Sequence, residues 1–222
     1  MTVTTNIHNL RSSIPPGVTL IAVSKTKPNE AILEAYNAGQ RDFGENYVQE
    51  LVDKHEQLPK DIRWHFIGHL QSNKIKYIAP FVHLIHGVDS FKLLEEINKQ
   101  GKKHNRVINC LLQVFIATEE TKFGLAFDEC QSILTSGEFQ KLPNINICGF
   151  MAMASNTEDE TQIRHEFRSL KDFHSKIQQT TNTELSTLSF GMSSDYKIAI
   201  EEGSTMVRIG SLIFGERDYK SS

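Results

Sequence analysis

Eight strand-like runs, each followed by a segment with helical periodicity, succeed one another along the 222 residues of this chain, and that alternation restricts its fold more than any other feature. The runs are Val18–Ser24, Arg41–Gly44, Ile62–Gly68, His83–Val88, Val107–Ile116, Ile145–Met153, Leu185–Phe190 and Thr205–Ile209. In the first, Val18-Thr-Leu-Ile-Ala-Val23 is aliphatic at every position but one, without polar alternation, as a strand buried on both faces of a parallel sheet requires. Between the runs, Glu30 to Ala38 sets Ala31, Ile32, Ala35 and Tyr36 on one helical face, opened by Pro28-Asn29 and closed at Gly39. Ile163, Phe167, Leu170, His174 and Ile177 keep near-helical spacing after the sixth strand. Parallel strands joined through helices cross over with one hand, and eight such units close readily. The pattern therefore predicts an α/β fold, a single (β/α)8 TIM-type barrel with parallel strands, as one domain over residues 1–222.

Composition and motifs exclude several functions. With 24 Lys+Arg against 27 Asp+Glu and a formal charge of −3, no nucleic-acid or anionic-membrane partner is expected. The start, Met1-Thr-Val-Thr-Thr-Asn6, lacks the basic and apolar regions of a signal peptide, and Lys220-Ser-Ser222 matches no anchor. No apolar run approaches the roughly 18 residues that cross a bilayer, so a soluble, cytoplasmic protein is expected. Cys110, Cys130 and Cys148 are odd in number and form no C-x-x-C, which suits reduced core thiols. A monomer is expected, since no exposed apolar face stands out. Dinucleotide, P-loop and serine-hydrolase motifs are missing. His65 and His69 straddle a strand and a loop rather than one helix face, so no metal site is expected. Trp64 alternates with His65, so one should face the barrel and the other the helices.

Function in such a barrel belongs at the carboxyl ends of the strands. Lys25 ends the first strand, Asn46 follows the second, His69 to Lys74 follow the third, Lys122 stands in the fifth loop and Arg208 ends the eighth strand. A partly desolvated lysine at a strand end can lose its proton and attack a carbonyl, although it can equally extend its ammonium into solvent. Two glycine-bearing loops come last, Phe190-Gly-Met-Ser-Ser-Asp195 and Arg208-Ile-Gly-Ser211. Each alone reads as a helix cap or a tight turn. Together, after strands seven and eight, they suit a phosphate cradle. Because strand eight closes against strand one, the expected ligand carries both a phosphate and a carbonyl.

Five stretches carry a more specific resemblance: Ala22-Val-Ser-Lys-Thr-Lys-Pro28, Phe43-Gly-Glu-Asn-Tyr-Val-Gln-Glu50, Trp64-His-Phe-Ile-Gly-His-Leu-Gln-Ser-Asn-Lys74, Phe190-Gly-Met-Ser-Ser-Asp195 and Val207-Arg-Ile-Gly-Ser-Leu-Ile-Phe-Gly215. In that order they resemble the pyridoxal phosphate homeostasis proteins, the YggS/PROSC type, over essentially the whole chain. The resemblance implies a barrel similar to the amino-terminal domain of alanine racemase, with pyridoxal 5′-phosphate held as a Schiff base on Lys25. It further implies that Met192, Ser193, Gly210 and Ser211 hold the phosphate, that Arg208 faces the pyridine nitrogen, and that Asn46 and His69 neighbour the cofactor. Arginine cannot accept a hydrogen bond, so it discourages protonation of that nitrogen and weakens the ring as an electron sink. Lys122 matches a family lysine near the site, and the resemblance assigns Lys27 no role. The racemases add a second, β-rich domain that supplies a tyrosine acid/base, for which this chain has no residues after Ser222. The expectation is a cofactor carrier in pyridoxal phosphate homeostasis with little or no turnover, meeting pyridoxal phosphate-dependent apoenzymes transiently. A single-domain amino-acid racemase and a Schiff-base phosphosugar aldolase are the alternatives.

Overall fold

Strands buried on both faces need helices on the outside and side chains filling the inside, and the chain satisfies both demands by closing its sheet. The computed structural model describes residues 2–119, 122–181 and 184–216; Thr121 of the fifth loop and the terminal Lys220–Ser222 lie outside them. Eight parallel strands follow one another around a closed barrel: β1 (Thr19–Val23), β2 (Asp42–Glu45), β3 (Arg63–Phe66), β4 (Leu84–Val88), β5 (Ile108–Gln113), β6 (Ile145–Met151), β7 (Thr187–Ser189) and β8 (Met206–Ile209). Closure is made by β1 against β8, with Ile21 opposite Arg208 and Ala22 opposite Ile209. The helices are α1 (Val3–Ser13), α2 (Asn29–Asn37), α3 (Val48–Gln57), α4 (Ile75–Ile78), α5 (Phe91–Lys103), α6 (Phe127–Thr135), α7 (Glu160–Thr180), α8 (Tyr196–Glu201) and α9 (Ser211–Phe214). No helix among the described residues is long and apolar enough to cross a membrane.

Strand alternation sorts side chains into two layers. Leu20, Ala22, Phe43, Trp64 and Phe66 join the large outer core under the helices, where Trp64 packs on Phe43 with ring centroids 6.0 Å apart. Ile21, Leu84, Leu111, Met151 and Met206 form a small second cluster inside the barrel, and His65, His86, Ser189 and Arg208 are buried beside it. His65 therefore faces inward and Trp64 outward. Register shifts interrupt β4–β5 and β5–β6. Gly149 in β6 has φ +152°, and a Cβ there would come within 1.8 Å of the Thr187 carbonyl oxygen, so only glycine lets β7 pair at that point.

Except for β2, which is displaced by one residue to end at Glu45, each strand is shorter than the run that announced it. Leu125, placed by its hydrophobicity at the start of a helix, instead bridges Val114, accepting from Phe115 N–H and donating to Gln113 O, and α6 begins only at Phe127. The three cysteines are free, and burial pushes each thiol upward, Cys130 to about 12.

A buried ionic cluster fixes the carboxyl ends of β1 and β2. The Lys54 ammonium on α3 donates to the Ser24 carbonyl at 2.8 Å, to Glu45 Oε1 at 2.8 Å and to Glu50 Oε1 at 2.7 Å, and Ser24 Oγ donates to Glu45 Oε1 at 2.6 Å. The Glu45 side chain is 0% exposed and that of Lys54 7%. Burial pushes the Glu45 carboxyl up, against Lys54 and Ser24, which stabilise its charge. Removing one member of such a pair strands the other without compensation. Lys54→Met is therefore expected to lower stability by about 3–5 kcal/mol in chemical denaturation; a loss below about 1 kcal/mol, the worth of an exposed pair, would contradict this assignment.

Candidate functional site

Lys25 follows the last residue of β1 by two positions, in a turn whose geometry is set from outside the turn. Ser24 N–H donates to Gly44 O at 3.0 Å, and Lys27 N–H donates to Ser24 O at 3.0 Å. Thr26 adopts φ 62°, a left-handed conformation that a β-branched residue avoids, and its N–H is met by Glu50 Oε1 at 2.6 Å. Glu50 thus holds both Thr26 and Lys54. Lys25 itself is half-buried.

Around Lys25 the carboxyl ends of the strands enclose a cavity of about 380 Å³. It brings together Lys25, Asn46, Met192, Ser193, Arg208, Gly210 and Ser211, while Val23, Ile67 and Met153 add apolar wall. Lys27 lines it as well, with its ammonium committed to the carbonyls of Phe214, Gly215 and Glu216 at 3.2, 3.3 and 3.2 Å. Among the described lining residues there is no tyrosine, histidine, aspartate or glutamate.

The two glycine loops are built for close approach. Gly191 has φ +95°, and a Cβ on it would lie 2.4 Å from Ala199 Cβ. The buried Asp195 carboxylate accepts from Met192 N–H at 2.5 Å and folds the loop back on itself; burial pushes this carboxyl up, and the Met192 N–H and Arg208 oppose it. Ser193 Oγ accepts from Gly210 N–H at 3.4 Å, joining the loop after β7 to the turn after β8. Ser211 opens α9, and the first N–H groups of a helix have no intrahelical acceptor, so they remain able to donate to an anion.

Arg208 is 5% exposed. Its Nη1 donates to Ser189 O at 2.6 Å and Ser189 Oγ at 2.7 Å, and its Nη2 donates to Ala152 O at 2.9 Å. Burial pulls the guanidinium down to about 10, partly countered by Asp195, which leaves it cationic near neutral pH. Asn46 Oδ1 is buried without a hydrogen-bond partner among the described residues. Its backbone passes close to Gly68, where a Cβ would meet the Asn46 carbonyl oxygen at 2.3 Å.

Two residues singled out in the sequence lie elsewhere. The His69 side chain is 58% exposed, with Nδ1 3.3 Å from Asp89 Oδ2 and its ring edge-on to Phe123, and it does not line the cavity. Lys122 lies 3.6 Å from Glu119 and borders a neighbouring groove that shares Met192 and Ser194 with the cavity. Reading the sequence alone passes over Glu45, Glu50 and Lys54, which hold the Lys25 turn; the spacing of Glu50 and Lys54 by four on α3 is the one local signal of them.

A sequence model of the family described as alanine racemase, N-terminal domain, matches residues 2–218. The pyridoxal phosphate homeostasis protein of Aquifex aeolicus is 43% identical over 202 residues, covering 90% of this chain and 87% of that one. The protein of the same description from Vibrio cholerae is 44% identical over 210 residues, covering 91% and 86%. Among solved structures, PipY of Synechococcus elongatus without PLP superposes with a TM-score of 0.91 at 36% identity, over 96% of this chain and 100% of that one. PipY with PLP bound superposes with a TM-score of 0.88. The alanine racemase of Clostridium difficile shares the fold, with a TM-score of 0.82 at 14% identity over 99% of this chain and 58% of its own. On these matches the chain belongs to the alanine racemase N-terminal-domain family and, within it, to the pyridoxal phosphate homeostasis proteins.

Proposed function

We propose that this chain holds pyridoxal 5′-phosphate reversibly on Lys25, as a monomeric, single-domain cytoplasmic carrier with little or no turnover that meets pyridoxal phosphate-dependent apoenzymes transiently. The observation that carries this reading is the convergence of Lys25, Arg208 and two glycine loops on one cavity. The donor set matches the cofactor part by part. The hydroxyls of Ser193 and Ser211 and the N–H groups opening α9 suit the phosphate, and Val23, Ile67, Met153 and Met192 suit the faces of the ring. Arg208 offers donors and no acceptor, so it suits an unprotonated ring nitrogen. Asn46 Oδ1, buried without a partner among the described residues, supplies a further polar contact. When bound, pyridoxal phosphate contributes an aldehyde and an electron-withdrawing ring.

The residues around Lys25 also support the absence of efficient turnover. Moving a proton between the two faces of a substrate needs an acid/base group on each. Lys25 is one such group. Lys27 is tied to three carbonyls, and the other described residues lining the cavity offer no carboxylate, imidazole or phenol.

Purified protein incubated with pyridoxal phosphate should show the visible absorption of a lysine-bound cofactor, and borohydride reduction followed by peptide mapping should place the label on Lys25. Lys25→Ala should remove both signals while its thermal unfolding stays within a few degrees of wild type; an unchanged spectrum would refute the assignment. For turnover, α-proton exchange of an amino acid in deuterated water should run no faster with the loaded protein than with free pyridoxal phosphate at the same concentration. Lys25-dependent acceleration of that exchange would establish a racemase-like enzyme instead.

A further inference from the structure

Arg208 is the upper end of a hydrogen-bond chain that runs through the barrel interior. Its Nη1 lies 2.7 Å from Ser189 Oγ, which lies 3.0 Å from His86 Nδ1. His86 Nε2 lies 3.0 Å from His65 Nδ1, and His65 Nε2 lies 3.1 Å from Asp42 Oδ1. Asp42 is the first residue of β2, so the chain leads from the cavity toward the opposite mouth of the barrel. All five residues are buried, and His86 and Ser189 are 0% exposed.

The charges at the two ends determine every hydrogen between them. Arginine can only donate, so Ser189 Oγ accepts from it and its own hydrogen is available to His86. At the other end, Asp42 is paired with Arg63 at 2.7 and 2.5 Å; burial opposes its charge, but the hydrogen bonds from His65 and Arg63 outweigh that and hold the carboxyl well below the usual range. An ionised carboxylate only accepts, so His65 Nε2 carries the hydrogen. A neutral imidazole has one, so His65 Nδ1 accepts from His86 Nε2, and His86 Nδ1 accepts from Ser189. The polarity is single: each group donates toward Asp42. Burial keeps both rings neutral, lowering His65 among Asp42, Arg63 and His83, and His86 among His65, Arg208 and His83.

We propose that His65 and His86 are positioning residues for Arg208, acting through Ser189, and that they make the donors Arg208 presents to the cavity depend on Asp42 at the far mouth of the barrel. With the Ser189 hydrogen drawn to His86, the Ser189 lone pairs stay turned to Nη1, and the guanidinium keeps its orientation. Inverting the chain would free the Ser189 hydrogen to turn elsewhere and leave Nη1 only one of the two Ser189 lone pairs. A donor in place of Asp42 would push hydrogen onto His65 Nδ1, then onto His86 Nδ1, and so into Ser189 Oγ in competition with Arg208. The ligand readout of this proposal rests on pyridoxal phosphate occupying the cavity; the hydrogen polarity does not.

The test begins with the ligand-free full chain, using long-range nitrogen–proton spectra of the histidine side chains. Both His65 and His86 should appear as neutral Nε2–H tautomers at neutral pH, and Asp42→Asn should move each toward the Nδ1–H form. An Nδ1–H tautomer or an imidazolium at either ring in the wild type overturns the proposal. Pyridoxal phosphate and, separately, inorganic phosphate are then titrated into wild type, Asp42→Asn, Ser189→Ala and the double variant. Each single substitution should weaken pyridoxal phosphate binding roughly three- to tenfold, the worth of one hydrogen bond, and change inorganic phosphate binding by less than about twofold. The double variant should bind no more weakly than Ser189→Ala alone, because the chain is already cut; multiplying losses would overturn the coupling. If Asp42→Asn does not fold, the His86 Nδ1 resonance in Ser189→Ala decides, since it must shift when its donor is removed. Failure of the wild type to bind pyridoxal phosphate would refute the cofactor reading and leave the tautomers to decide the hydrogen chain.

Discussion

Barrel closure is the constraint on which everything at the candidate site depends. Lys25 follows the first strand and Arg208 lies in the last, and they share a cavity only because β1 pairs with β8, with Ile21 opposite Arg208. In an open sheet with the same strand order these two strands would be opposite edges. Closure also buries the guanidinium, which is tolerable because Ser189 O, Ser189 Oγ and Ala152 O accept its donors. The cation is thereby held in a low-dielectric wall, where its direction counts for more than it would in water.

The position of Lys25 is inherited from residues that never touch the cavity. Its strand is followed by Ser24, whose hydroxyl and carbonyl are both held by the Glu45–Lys54 pair, and the turn beyond it carries a strained Thr26. A left-handed threonine persists only where the surroundings over-determine it, and Glu50 on the Thr26 N–H supplies that restraint. One ionic cluster thus serves two ends: it pairs the buried Glu45 and Lys54 charges between β2 and α3, and it orients the chain at Lys25.

The barrel was legible because buried parallel strands read as continuous apolar runs, and each run, from Val18–Ser24 to Thr205–Ile209, overlaps a strand. Boundaries were less legible, since hydrophobicity does not separate a strand end from the apolar residues that follow it, as at Leu125 and at Ala152 and Met153. Lys25, Asn46, Met192, Ser193, Arg208, Gly210 and Ser211 could be brought together on paper because strand ends in a barrel share one mouth. His69 follows the same rule by position, but its loop carries it outward to Asp89 and Phe123. The hydrogen chain left only a faint trace: His65 and His86 are polar residues with apolar neighbours, in Trp64–Phe66 and Ile85–Val88, and their partners lie on other strands, where periodicity says nothing of side-chain pairing.

The ties between the two ends of the described chain bear on the timing of synthesis. Asn6 Nδ2 donates to Ile213 O at 2.9 Å, Lys27 binds the carbonyls from Phe214 to Glu216, and β1 waits for β8. Synthesis runs from the amino end, so Lys25 is made before Met192, Ser193, Arg208, Gly210 and Ser211 of the same cavity. Lys25 therefore gains these neighbours only once the eighth strand and the helix opening at Ser211 have been synthesised. The cavity beside this lysine is accordingly completed only by the last strand and the turn beyond it.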